Sequence, residues 1–275
     1  MKMKPLIFLL IFVFISGCSS SQPLIPAVFS PKTPQPQIEN TVTLPKATNT
    51  FIPSQTAQEQ FSALYKKAVA ITNQPGWIHV KDTVIGDSDQ ENNGVLPDGT
   101  VIPKSYTDES WFHINTGGLV FESLTTMFTL DGKKVQTSIL HDNNYWNTAT
   151  DKSTPQSPYS LGSFSGDFSS ILNNYISRTN KSPLINTIDM NGRSVILFSI
   201  DDPQKVPLTP PDFKQPVTSV KTNAYFDNDT GFMIQRDEIM TLTDGTVRTL
   251  YTVTTDVEIG SRPPEKIISQ IQKGG

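Results

Sequence analysis

Three histidines, a single cysteine and one acidic loop are the side chains in this sequence whose types and spacing could do chemistry. His79 and His113 each close a Trp-x-His unit, Trp77-Ile78-His79 and Trp111-Phe112-His113, and His141 ends a run of alternating residues. Imidazoles at such positions would bind a metal if their strands converged, but no pair has a tight ligand spacing and no cysteine is near enough to help. They read instead as strand histidines stacking on tryptophan. Residues 87–94 approach a calcium loop, with Asp89, Glu91, Asn93 and Gly94 at its first, third, fifth and sixth places. The twelfth place, which needs a bidentate carboxylate, is Thr100, so a solvated acidic loop accounts for the residues. Arg236 and Glu238 fall among Ile234, Met240 and Val253, where charge is costly unless paired. They sit at a wet rim, or they line a cavity and fix a polar headgroup. No nucleophile, base and orienter stand at readable spacing, so the chain is read as a non-enzyme that needs no cofactor and no metal.

Cys18 is the only cysteine among 275 residues. It follows Lys2, Lys4, an apolar run from Leu6 to Ile15 and the small residues Ser16 and Gly17. A short basic region, about ten apolar residues and a small-residue cleavage site make an export signal too short to span a bilayer. Ile15-Ser16-Gly17-Cys18 resembles the bacterial lipobox. That resemblance implies acylation of the Cys18 thiol, palmitate included, cleavage before it, and a chain tied by lipid to the cell membrane or outer membrane, facing away from the cytoplasm. The expected division is a signal peptide at 1–17, an acylated cysteine and tether at 18–53, and a folded domain at 54–275. The tether is dense in Pro, Ser and Thr, which deny it helix and ladder alike. At about 35 residues it reaches roughly 35 Å as coil and roughly 110 Å fully extended.

The formal charge is −4, and loss of Lys2 and Lys4 makes it −6, with no basic run in the mature chain. That excludes nucleic acid as a partner and excludes electrostatic docking on anionic lipid. A lone cysteine excludes an internal disulfide, so packing alone must hold the fold.

The elements that must position these residues follow from periodicity. Thr56 and Glu59 are spaced as a capping box, and Phe61, Leu64, Tyr65, Ala68 and Ile71 share one face of a helix over 57–72. Strands at 77–85 and 106–115 pair antiparallel with residue numbers summing to 190, which sets Trp77 opposite His113, His79 opposite Trp111 and, at a cost, Asp82 opposite Asp108. Two-residue turns at Asp131-Gly132, Asn191-Gly192 and Asp244-Gly245 close three hairpins. The first pairs Phe128 with Val135, Leu124 with Ile139 and Glu122 with His141. A covering helix falls at 166–177 around Phe168, a proline-rich loop at 202–217, and a short helix at 263–271.

A helix, long antiparallel strands, a covering helix and more strands ending in Tyr225-Phe226-Asp227-Asn228-Asp229-Thr230-Gly231 resemble the LolA/LolB lipoprotein-carrier superfamily, which includes the periplasmic sensor RseB. The resemblance covers about residues 57–272. It implies an α+β fold, a curved antiparallel β-sheet or half-barrel with short helices across its concave face. The long strands carry more apolar surface than two short helices can fill. The space left over is expected to take a hydrophobic small molecule or lipid against Leu124, Phe128, Ile139, Ile234, Met240, Leu242, Tyr251 and Val253, under the helices carrying Phe61 and Phe168. The RseB-like alternative is a sensor or interaction module without cargo, whose long loops meet an envelope protein partner.

Overall fold

A computed structural model of the chain describes residues 56–87, 95–96, 99–149, 151–165, 167–208 and 215–273. The export signal, Cys18, the tether and most of the acidic loop lie outside these residues.

The first helix, α1 (Ala57–Thr72), starts where the capping box places it: Glu59 N–H donates to Thr56 Oγ1 at 3.2 Å, and Thr56 N–H donates to the Glu59 carboxylate at 2.8 Å. Five strands follow, β1 (Gly76–Gly86), β2 (Tyr106–Ile114), β3 (Val120–Thr129), β4 (Lys134–His141) and β5 (Asn144–Asn147). A short strand β6 (Lys152–Pro155) occupies the stretch that its Ser/Pro/Gly composition marks as loop. After α2 (Phe168–Thr179) come β7 (Leu184–Met190), β8 (Arg193–Leu208), β9 (Val217–Asp227), β10 (Met233–Leu242), β11 (Val247–Ile259) and α3 (Glu265–Gln272). Strand β8 thus runs well into the proline-rich segment that reads as loop.

All pairings are antiparallel, in the order β6-β5-β4-β3-β2-β1-β11-β10-β9-β8-β7. The sheet is curved and open, with β6 and β7 at its edges, and the fold is α+β as its layout implies. The β1–β2 register is the one summing to 190, from Gly76 opposite Ile114 to Val84 opposite Tyr106. Among the three hairpins, only Asn191-Gly192 closes as a two-residue turn, both residues at positive φ. At the other two the closing bonds are Thr129 N–H to Lys133 O and Leu242 N–H to Thr246 O, with Gly132 and Gly245 alone at positive φ. Each is therefore a three-residue loop with a glycine bulge, the commonest alternative for Asp-Gly. The consequence is local: Phe128 pairs with Lys134 and not with Val135, while Leu124 still pairs with Ile139.

Because side chains alternate across a pleated strand, the register sorts residues into two faces. One carries Ile78, Val80, Asp82 and Val84 from β1, and with them Phe112, Val253, Arg236, Ala224 and Phe198. This is the helix face. Phe61 of α1 and Phe168 of α2 pack there on Phe198 and Phe226, the ring centroids 5.4–6.4 Å apart and mostly edge to face. Four buried phenylalanines, each worth about 1.5–3 kcal/mol of transfer free energy, fill the layer beneath the two helices. The loop between β6 and α2 continues the roof, laying Tyr159, Leu161 and Phe164 on Ile78, Phe112 and Leu140.

The turn between β9 and β10 meets α1 closely. The Asp227 carboxylate accepts from the backbone N–H of Asp229 and Thr230 and from the Thr230 hydroxyl, at 3.0, 2.7 and 2.9 Å. Gly231 follows at φ +76°, and a Cβ there would stand 2.0 Å from Leu64 O. The Asp-x-x-Thr-Gly pattern is thus a socket for α1, built from one carboxylate and one missing side chain.

Candidate functional site

The other face of the sheet carries Trp77, His79, Trp111, His113, Leu124, Ile139 and His141. On it Trp77 stacks on His113 with centroids 4.2 Å apart and planes at 12°, and His79 stacks on Trp111 at 4.0 Å and 14°. Carboxylates complete the row. Glu122 takes His113 Nδ1 at 2.8 Å on one oxygen and His141 Nδ1 at 3.1 Å on the other, while Glu109 meets His79 Nε2 at 3.0 Å. The cross-strand contact of Glu122 with His141 follows from the β3–β4 register. Its second contact, with His113, needed the β2–β3 register as well, which no strong turn signal marks in the sequence. His79 and His113 are each held by a ring and a carboxylate and His141 by Glu122, and among the described residues no group of three His, Cys, Asp or Glu side chains could hold a metal ion.

Helix α3 lies against this face, not on the face of α1 and α2. Ile271, 1% exposed, packs with Leu124 and Ile139, and Ile267, Trp77 and Trp146 surround them. Between α3 and β2–β4 a cleft of about 270 Å³ remains, its apolar walls Trp111, Leu124, Phe128 and Ile267, its rim Glu109, Thr126, Lys134, Lys266 and Gln270. The Trp111 side chain is buried, and its indole N–H has no hydrogen-bond partner.

On the helix face the polar groups are of two kinds. Arg236 is buried and its guanidinium bonds both Asp167, at the N-terminus of α2, and Glu238, while its carbon stands 5.6 Å from the Tyr251 ring centroid. The charges at this position are therefore paired and pin α2 to β10. They do not lie at an open rim. Two strands away, Asp82 and Asp108 face each other across β1–β2. Thr255 Oγ1 donates to Asp82 at 2.6 Å. Burial first, and the neighbouring Asp82 second, push the Asp108 carboxyl up to about 7. Burial likewise raises Asp82, against the Thr255 hydrogen bond.

The eight residues expected to line one cavity fall into separate clusters on both faces. Leu124 and Phe128 line the α3 cleft and Ile139 lies beside it. Met240 and Leu242 pack on Val217 with Val220 and Leu250. Val253 joins Val84, Tyr106 and Met127, Tyr251 lies under Arg236, and Ile234 is half-buried at a bulge between Met233 and Gln235. A second bulge, between Glu238 and Ile239, brings Leu250 to the Met240 cluster and leaves Val247 64% exposed. Strict alternation along β10 and β11 could not reveal either irregularity.

No protein-family model matches the sequence, and no curated protein does. Among solved structures the chain is similar to the complex of MucA and MucB from Pseudomonas aeruginosa, at 15% identity and a TM-score of 0.38, covering 75% of this chain and 59% of that one. It is similar to LprF from Mycobacterium bovis, at 10% identity and 0.35, covering 77% and 97%. It is also similar to the LolA-superfamily protein NE2245 from Nitrosomonas europaea, at 11% and 0.24, covering 78% and 97%. The likeness is one of strand layout. No helix of the described residues is long and apolar enough to cross a membrane.

Proposed function

We propose that the chain is an envelope lipoprotein, exported by residues 1–17, acylated on Cys18 and tethered by residues 18–53, whose folded domain binds a hydrophobic ligand and catalyses nothing. The observation that carries the binding reading is the cleft between α3 and the sheet, where Leu124 and Phe128 contribute apolar wall with Trp111 and Ile267. Apolar walls with a few polar groups at the rim are the usual make-up of a small-molecule site. Two experiments test the parts separately. Cys18→Ala should move the protein from the membrane fraction to the soluble one, and retention on the membrane without detergent sinks the anchor. An apolar fluorescent probe should bind the Cys18→Ala chain at micromolar concentration, and failure to bind sinks the ligand.

A second reading is favoured by the phenylalanine cluster. Phe61, Phe168, Phe198 and Phe226 occupy the layer between helices and sheet where a carrier would hold cargo. On that reading the domain is a sensor or interaction module, and an envelope protein is its partner. A folded Cys18→Ala chain that binds no apolar probe at micromolar concentration would favour it.

A further inference from the structure

We infer that the edge of β7 is a docking site for residues 37–42 of the same chain, which lie in the tether outside the described residues and add there as a twelfth, antiparallel strand. The inference concerns another part of the molecule than the α3 cleft and does not depend on a ligand there.

The two edges of the sheet are finished differently. An edge strand presents backbone N–H and C=O groups outward, and proteins blunt such edges with short strands, lysine or proline. β6 is blunted in all three ways, being four residues long with Lys152 and Pro155 at its ends. β7 is not. It runs for seven residues, Leu184 to Met190, with no proline, no lysine and an unbroken register to β8, its one neighbour among the described residues. Ile185 packs with the phenylalanine cluster, so alternation puts Leu184, Asn186, Ile188 and Met190 on the outer face. Leu184 is 63% exposed. Such an edge is a template for one more strand.

The sequence supplies it. Prolines recur from Pro23 to Pro53, and the longest run free of them is 37–44, Gln-Ile-Glu-Asn-Thr-Val-Thr-Leu. Ile38, Thr41, Val42 and Thr43 are β-branched, as strands favour, and alternation gathers Ile38, Asn40 and Val42 on one face. An antiparallel register with residue numbers summing to 226 sets Ile38 opposite Ile188, Asn40 opposite Asn186 and Val42 opposite the exposed Leu184. It also sets Glu39 opposite Thr187, whereas a register of 228 brings Glu39 against Asp189. Pro36 and Pro183 close this ladder at its two ends.

The connection is long enough. Gln58 Nε2 donates to Asn173 Oδ1 at 3.3 Å, so the start of α1 lies beside the middle of α2. Asn173 stands about 9 Å from Thr179 at the end of α2. β7 opens shortly afterwards, at Leu184. Residues 43–55 span up to about 43 Å when extended, which exceeds the path to that end of β7. With Cys18 as the anchor, docking leaves residues 19–36 free, roughly 55 Å at full extension in place of roughly 110 Å. The anchor then pulls on the sheet edge and not on α1.

Cysteine pairs in the Cys18→Ala chain test the register, since that chain holds no other thiol. Val42→Cys with Leu184→Cys should close an intramolecular disulfide under mild oxidation, because facing strand residues stand about 4.5–5.5 Å apart at Cα. Val42→Cys with Met190→Cys, about 20 Å out of place, should close about tenfold more slowly or not at all. Hydrogen exchange in the chain with Cys18 retained should be about tenfold or more slower at residues 38–42 than in coil. Thr41→Pro with Val42→Pro should abolish that protection and quicken exchange in β7, because one of two adjacent residues must turn its N–H to the sheet. Coil-rate exchange across 38–42, or equal closure of the two cysteine pairs in the folded chain, overturns the proposal. Covalent dimers from Leu184→Cys alone, with 38–42 exchanging as coil, would give the edge to a second copy and overturn it as well.

Discussion

Replacing Asp108 with asparagine should make the protein more stable at neutral pH. The Asp108 carboxyl faces that of Asp82 across β1–β2, and burial followed by its neighbour raises it from the ordinary 3.8 to about 7. Each pH unit between folded and unfolded titration is worth about 1.4 kcal/mol, which puts the full penalty of the ionised form near 4 kcal/mol. Water reaches a half-buried side chain, and Asp82 and Asp108 titrate as a pair, so about 2–4 kcal/mol is the working range. The sign follows from the direction of the shift. A carboxyl raised in the folded state binds its proton more tightly folded than unfolded. The penalty is therefore absent below about 4, grows as pH rises towards 7, and stays constant above. Asp108→Asn keeps the shape and removes the charge. Urea midpoints at pH 4.5 and pH 7.5, read by tryptophan fluorescence, should show wild type losing stability over that interval through this pair, and the variant losing much less. At pH 7.5 the variant should exceed wild type by about 2–4 kcal/mol, roughly 5–15 °C in Tm for a domain of this size. A variant no more stable than wild type at pH 7.5, or a wild-type stability flat across the interval, refutes the reasoning.

Gly231→Ala should lower stability by more than the roughly 1–3 kcal/mol of a strained backbone alone, since its Cβ would press on Leu64 O as well as require φ +76°. Urea unfolding measures it, and a loss below 1 kcal/mol would mean that α1 yields easily. Ile271→Ala, at a side chain 1% exposed beneath α3, should cost about 2–5 kcal/mol if α3 unfolds with the sheet. Hydrogen exchange that instead loosens only residues 265–272 would show that α3 detaches by itself.

Much of the fold is legible because its strongest signals are local. The capping box at Thr56 and the stripe from Phe61 to Ile71 define α1, and Asn191-Gly192 defines a hairpin. The β1–β2 register was readable for another reason: only one alignment satisfies two Trp–His pairs and a Lys81–Glu109 pair together. The two glycine bulges and the irregularities in β10 were not readable, since Asp-Gly serves two-residue and three-residue loops alike and a bulge leaves no mark on composition. The candidate site divides in the same way. Leu124, Phe128 and Ile139 read as one apolar face from the hairpin alone. That α3 covers them, and that α1 and α2 take the other face, depends on where helices 57–72, 168–179 and 265–272 dock, and an amphipathic stripe names no partner.

The strand order has a consequence for how the molecule comes into being. The seam between β1 and β11 pairs Ile78 with Ile259 and Val84 with Val253, joining residues from opposite ends of the folded region at the middle of the sheet. Synthesis delivers β1 to β6 long before β11, so the growing chain carries an open β1 edge until β11 has been made. Helix α1 must wait too, since Phe61 finds Phe198 and Phe226 only in the later half. Such distant closure makes for slow folding and a long exposure to mispairing. Chains cut short before residue 259 should therefore aggregate through β1, and not persist as weakened versions of the whole.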